Sequence, residues 1–497
     1  MEHTDAAQVA ALVGALGALL VLVPRDCISP LAGLALLGLA TAGLARSLVG
    51  DDDVERLFLE PEGVALAGTG VVAAVLGAIP LVRYPAVVPV LFLATAPFRV
   101  PVEVGDEDAF LLLPLYLVLT SAVLALAYRV VVRGERPPAP PFLLALPLAA
   151  FVTFSSISFL WTWDDRDGGI ALAFFLFPFT AAFAVVCRSP LAAWLPRALL
   201  VTLVALGSLF AAVGLWQAQT RTVFFARDVE VANAYTSFFR VTSLFKDPSL
   251  YGRYLVVPIA VLLVVVLVRK GRTIDWVAAA AVIAFLFWGL YYSYSQSSFV
   301  ALFVVAFAVA VYGVGRRLRL LLLVCAAIVA VGAAAYAAQA IEGRSAREAT
   351  SGRSRLVTVT LDAFAERPIA GVGVGGQPRA SAELAGRRSP GRHASHTTPL
   401  TVLAEGGVLG FALYVWVLGA AGWALVLVVR RDGALGVALA AVLVALFVHS
   451  LLYAGFFEDP LAWGVLGIAA AFLAVAPVPR EADEEQPATS APRLLAH

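Results

Sequence analysis

The sequence predicts an all-α, polytopic integral membrane protein of about 12–15 transmembrane helices, and three observations carry that expectation. Hydrophobic residues make up 61% of the 497 residues, charged residues only 14%, and mean hydropathy is +0.90. Apolar runs of roughly the 20 residues needed to cross a bilayer recur along the whole length. The polar segments between them are too short, or too poor in apolar residues, to form a separate soluble domain. Residues 1–476 therefore read as a single integral membrane domain, and the acidic tail 477–497 as disordered by composition.

In chain order, apolar runs predict spans at 7–23, 28–45, 63–82, 85–98, 109–128, 142–160, 169–187, 198–218, 250–268, 276–291, 298–314, 319–340, 399–429, 433–455 and 461–476. The first lacks a basic segment before it and is followed at once by another, so it reads as a retained helix rather than a cleaved signal. The short run 85–98 holds Pro85, Pro89 and Pro97 and reads as a re-entrant or broken helix. Cys27, Cys187 and Cys325 lie in or beside different runs with no Cys-x-x-Cys spacing, so they suggest neither disulfide nor zinc.

Arginine placement orients the later spans. Arg129, Arg133, Arg136, Arg188, Arg269, Arg272, Arg316, Arg317, Arg319, Arg430 and Arg431, with Lys270, fall on one side if every intervening span crosses once, and that side reads as cytoplasmic. The same alternation sends loops 219–249 and 341–398, with the short turns 161–168, 292–297 and 456–460, to the extracytoplasmic face. The net charge of +1 says little about partners beyond membrane lipids, and no nucleic acid is expected.

The polar chemistry pools in the two long loops. Of five histidines, His393 and His396 sit three residues apart at the end of the Arg-rich second loop. Within that loop Leu356, Val359, Ala363 and Phe364 recur at helical spacing, Ser351 or Ser354 offers a cap and Pro368 a stop, which predicts a short helix lying on the membrane surface. Gly371, Gly373 and Gly376 formally match GxGxxG. No strand precedes them and no βαβ unit follows, so a tight glycine turn that brings backbone close to another group is the better reading. Asp164, Asp165 and Asp167 lie behind Trp161 and Trp163 without further ligands at ordered spacing, and read as an interfacial turn rather than a metal site. Glu405 and His449, at or inside apolar spans, are either functional or interhelical hydrogen-bonding groups.

Arg240 stands eight residues before Pro248, Arg353 fifteen before the Pro368-x-x-Gly371-x-Gly373 run, and His396 nine before Glu405-x-Gly407. In this order and with apolar spans between, the three motifs resemble the O-antigen ligase and O-antigen polymerase superfamily of bacterial membrane glycosyltransferases, over roughly residues 150–475. Departures from the family pattern are Ser249 where Asn usually follows the proline, Ser243 where Gly is frequent, Thr397 where Asn often follows the histidine, and Gln296 where many members carry Arg.

The resemblance implies a helical glycosyltransferase of the C type whose partly helical extracytoplasmic loop caps the site. It implies a polyprenyl-diphosphate-linked oligosaccharide donor, a glycan or lipid-linked acceptor, no cofactor and no metal. Arginine forks suit diphosphate oxygens and an imidazole suits proton removal near neutral pH. Arg240 and Arg353 are therefore the expected diphosphate ligands and His396 the general base. Arg253, His393, Glu405 and His449 form a second tier, with Arg387 and Arg392 behind them. Polymerase and ligase readings differ only in acceptor. A lipid-linked-oligosaccharide transporter is the alternative of another class, and it is disfavoured because mid-span charge is nearly absent.

Overall fold

The structure, a computed structural model, describes residues 2–24, 26, 28–48, 61–104, 107–268, 273–324, 353–386 and 393–475. The expected Cys27, Cys325, Ser351, Arg387, Arg392, most of the 319–340 span and the 477–497 tail lie outside the described residues. Among those described, 12 helices are long and apolar enough to cross a membrane, so the all-α polytopic expectation holds.

The helices are α1 (Glu2–Leu22), α2 (Ser29–Leu48), α3 (Pro61–Arg83), α4 (Val88–Thr95), α5 (Leu113–Val131), α6 (Phe142–Ser158), α7 (Asp165–Cys187), α8 (Leu195–Thr220) and α9 (Arg227–Ala234). Then follow α10 (Pro248–Leu267), α11 (Thr273–Tyr291), α12 (Gln296–Gly313), α13 (Arg353–Glu366), α14 (Gln377–Leu384), α15 (Thr398–Arg431), α16 (Gly433–Ser450) and α17 (Pro460–Ala474). Each spanning sequence is apolar around its whole circumference, so its neighbours and not its amphipathicity decide what it buries. In α7 and α10 the apolar windows are 78% and 72% buried, against 22% in α11 and 18% in α3. The first two are thereby the centre of the bundle and the last two its lipid-facing rim. Small residues set the closest approaches. A methyl group on Gly17 of α1 would lie 2.9 Å from the Gly33 carbonyl of α2, and one on Gly33 would lie 2.7 Å from the Gly17 carbonyl.

Two elements differ from the sequence expectation. The span expected at 109–128 begins at Leu113, because residues before it pair as an antiparallel hairpin, β1 (Val100–Val104) with β2 (Glu107–Leu111), in the register Val100 to Leu111 and Val104 to Glu107. Strong apolarity at 109–113 masked the strand, and the helix starts only where Pro114 occupies its first turn. The second difference is α13. It ends just before Pro368 as expected, but Ala363 packs with Val372, Ala380 of α14 and Ala404 of α15, and Val359 is buried with its carbonyl accepting from Ser381 Oγ of α14, so that face meets protein and not lipid. The short run 85–98 is the broken helix expected, a 3₁₀ turn at Pro85–Val87 leading into α4.

Contacts sort the connections to two ends of the bundle. At one end Arg133 donates to the Val82 carbonyl (3.3 Å), Arg188 to those of Val21 (2.9 Å) and Ala184 (3.1 Å), and Arg431 to those closing α17. Cations at these carboxyl-terminal carbonyls satisfy orphan acceptors. At the other end Trp163 meets Val372, Val241 meets Tyr292, Gly455 meets Thr398, and Lys246 lies over the Phe110 ring. The basic loops and the motif-bearing loops thus occupy opposite ends.

Candidate functional site

The second and third motifs are two halves of one backbone joint. Gly407 has φ 61° and ψ −162°, a conformation open to glycine, and there α15 breaks. A break strands carbonyls before it and N–H groups after it, which is costly near a membrane. The glycine-rich segment supplies both sets of partners. Val372 and Gly373 donate to the carbonyls of Ala404 (3.0 Å) and Glu405 (2.9 Å), while Val408 and Leu409 donate to those of Pro368 (2.8 Å) and Ile369 (3.2 Å). The Glu405 carboxylate also accepts from the backbone of Gly375 and Gln377, fastening the start of α14.

The glycine requirement follows from this threading. Gly371, Gly373 and Gly375 all have positive φ, and a methyl group would strike Glu405 at the first, Thr162 at the second and Gly168 at the third. On its far side the segment is held by Trp163 N–H to the Val372 carbonyl (3.0 Å), Thr162 Oγ1 to the Val374 carbonyl (2.8 Å) and Val374 N–H to Ser158 Oγ (3.1 Å). The close-approach reading of the glycines is therefore correct, and their neighbours are the broken helix and the 158–168 turn. Asp164 in that turn caps α7 by accepting from the N–H groups of Arg166 and Asp167, each at 3.1 Å.

From the joint the chain is led to His396 by Gln377, a residue that no motif or spacing singles out. Its buried amide donates to the His393 carbonyl (3.1 Å) and Ser381 Oγ (2.8 Å), and accepts from Ser395 N–H (2.9 Å). After His396, Thr398 Oγ1 accepts from Gly455 N–H (3.2 Å). His396 is exposed on a strap fixed on both sides, whereas the neighbouring His393 is buried. Arg353 opens α13, the helix that packs on this joint; its side chain lies outside the described residues.

The first motif is fastened just as closely. Asn233 accepts from Arg240 N–H and donates to the Arg240 carbonyl, both at 2.9 Å. Val241 N–H donates to the Tyr292 carbonyl (3.1 Å), and the buried Gln217 accepts from the N–H groups of Thr242 (3.1 Å) and Ser243 (2.7 Å). Ser243, one of the departures from the family pattern, sits at φ 53°, where its hydroxyl donates to the Phe210 carbonyl (2.9 Å). Arg240 is half-buried; its Nε donates to the Ser293 carbonyl (3.3 Å), and its terminal nitrogens make no hydrogen bond among the described residues.

Two second-tier residues turn inward together. Arg253 Nη1 pairs with Asp459 Oδ2 at 2.7 Å, and Arg253 Nη2 lies 3.1 Å from His449 Nδ1. A guanidinium only donates, so Nδ1 is the acceptor and the imidazole proton sits on Nε2. That Nε2 lies 3.1 Å from the Ser249 carbonyl and within reach of the Ser297 and Ser298 hydroxyls, at 3.1 and 3.2 Å. All three side chains are buried, so this group ties α10, α12, α16 and α17 together beneath the loops.

Beside this tie the surface stays open, with two charges that the motifs did not reveal. Glu458 is exposed, yet protein encloses it so closely that lost hydration holds its carboxyl above the usual carboxylate range, with Arg99 and Arg253 pulling it back and Asp167 adding to the rise. Arg99, half-buried where α4 meets β1, acts on Glu458, Tyr254 and Tyr453.

Residues 279–415 match the family model described as O-antigen ligase. No curated protein matches the chain. The matched stretch contains Arg353, the whole glycine segment, His396 and the break in α15, and so coincides with the joint.

Proposed function

We propose, from the match of residues 279–415 to the O-antigen ligase family model, that this protein transfers a polyprenyl-diphosphate-linked glycan to an acceptor hydroxyl at the extracytoplasmic face of the plasma membrane, within one membrane domain over 1–476. The observation that carries the reading is Arg240, whose backbone is clamped while its terminal nitrogens make no hydrogen bond among the described residues. A guanidinium presented in this way suits a phosphate brought from outside the protein. Its end of the bundle lies opposite the basic loops, which supports an extracytoplasmic site.

In this reading Arg240 and Arg353 bind the donor diphosphate. His396 removes the proton of the acceptor hydroxyl, whose oxygen attacks the anomeric carbon from the face opposite the diphosphate. The new glycosidic C–O bond forms as the bond from the anomeric carbon to the diphosphate breaks, with inversion, and polyprenyl diphosphate leaves. Negative charge grows on the leaving group, so fixed guanidinium groups stabilise the transition state more than the ground state. Because the arginines supply this charge, transfer is expected to persist in EDTA; complete loss restored by magnesium or manganese overturns that step.

Polymerisation of surface polysaccharide repeats is the preferred form, with ligation to a lipid A-core or protein acceptor as the alternative. A transporter would need charge along a path through the membrane. Here Arg253, Glu405 and His449 all sit at the site end. The test is transfer by purified protein from a lipid-diphosphate-linked oligosaccharide, with the same lipid-linked repeat as the sole acceptor. A ladder of products marks a polymerase; product only after a different acceptor is added marks a ligase; flipping without transfer removes the enzymatic reading.

A further inference from the structure

Between α2 and α5, at the end of the bundle that carries the basic loops, lies a cavity of about 240 Å³. Leu31 of α2, Leu126 and Val130 of α5 and Ala139 of the α5–α6 connection give it apolar walls, and its two charged residues are Asp26 and Arg188. Its size falls just below the roughly 300 Å³ of the smallest small-molecule pockets, so it suits a headgroup rather than a large ligand. The apolar windows of α2 and α5 are only 28% and 33% buried, so both helices turn most of their surface to lipid beside it.

Arg188 is buried, and its guanidinium donates to the carbonyls of Val21 (2.9 Å) and Ala184 (3.1 Å) at the carboxyl ends of α1 and α7. Those bonds use two of its five N–H donors, and the helix ends lend partial negative charge but no full anion. Arg188 makes no ion pair among the described residues, whereas Arg129 at the same end pairs with Glu135 at 2.6 Å. A buried guanidinium without an anion is costly, and this one borders the cavity.

Asp26 stands at the exposed rim. Its Oδ1 accepts from the N–H groups of Ser29 (2.6 Å) and Ile28 (2.9 Å), which fixes the side chain before α2 and holds its carboxyl below the usual carboxylate range. An ionised carboxylate keeps lone pairs for further donors. The cavity thus presents a cation in its depth, an anion at its rim and apolar walls between.

We infer that this cavity binds the headgroup of an ethanolamine phospholipid, with the phosphate on Arg188, the ammonium on Asp26 and the first acyl carbons along Leu31, Leu126 and Val130. A choline headgroup has no N–H to give Asp26, and an anionic glycerol headgroup has no cation for it. A lipid seated there joins α2 to α5 and, by binding the folded state alone, stabilises it. The site lies at the opposite end from the glycine joint and does not depend on the glycosyltransferase reading.

The test uses the full-length protein purified in mild detergent and given phosphatidylethanolamine, phosphatidylcholine or phosphatidylglycerol. Native mass spectrometry counts retained lipid, and the thermal midpoint reports stabilisation. The wild type should retain a single phosphatidylethanolamine in preference to the other two and gain several degrees from it. Asp26→Asn keeps a side chain that can cap α2, and Ala139→Trp fills the cavity from an exposed position. Each should weaken phosphatidylethanolamine binding by about tenfold or more, the effect of one lost charge-assisted hydrogen bond or of a blocked cavity. Arg188→Gln should do the same; because it also removes bonds at two helix ends, the other two variants decide the matter if it fails to fold. Unchanged phosphatidylethanolamine retention in either Asp26→Asn or Ala139→Trp overturns the site. So does equal retention of phosphatidylcholine or phosphatidylglycerol by the wild type, or retention of no lipid at all.

Discussion

His396 and Arg240 are exposed to different degrees and fixed by different means, and their substitution should separate accordingly. His396→Ala removes the base but leaves the strap held by Gln377 and Thr398, so transfer should fall by about a hundredfold to ten-thousandfold with donor binding nearly intact. Arg240→Ala and Arg353→Ala should weaken donor binding as well as turnover, and Lys at either position should restore only part, because a point charge replaces a planar fork. Parallel assays of transfer and donor binding check this; near-normal turnover by His396→Ala returns that residue to the solvated loop.

The broken helix α15 makes predictions of its own. Gly407→Ala adds a methyl group at a φ of 61° and against Ile369, combining about 1–3 kcal/mol of backbone strain with a clash. The thermal midpoint of the purified protein should drop by several degrees and transfer should be lost. In the same helix Gly419 has open space around it, so Gly419→Ala should be neutral or slightly stabilising. A stable, active Gly407→Ala protein contradicts the joint. Asp459→Asn tests the buried tie in the same assay. Removing one partner leaves Arg253 as an uncompensated buried charge, which typically costs about 3–5 kcal/mol. These effects are out of reach of the motif reading, which finds a glycine turn and a helix bearing Glu405 but not that each supplies the other's missing hydrogen bonds.

For the whole molecule the prediction is sidedness. With the three native cysteines replaced, a cysteine at the exposed Glu383 of α14 should react with a membrane-impermeant thiol reagent in intact cells, and one at the exposed Arg136 should not. Ser381, nearer the middle of the same loop, is fully buried and unsuited as a probe. Reversed labelling would move the site to the cytoplasmic side and separate it from an externally presented donor.

The class of the protein, its spans and the order of its motifs lie in the sequence because the bilayer leaves little choice. Twenty apolar residues must form a helix, and arginines between them mark one side. The three motif spacings are likewise local and legible. Tertiary structure alone decides which polar groups are consumed and which stay free. Arg253 and His449 look like site residues by charge, yet Asp459 and the serines of α12 use up their hydrogen bonds. Asp459 reaches Arg253 from 206 positions along the chain, and the Ser297 hydroxyl reaches His449 from 152. A hydrogen-bond partner drawn from such a distance leaves no periodic trace, so satisfaction of a polar group is settled by the packed bundle and not by its neighbours in sequence.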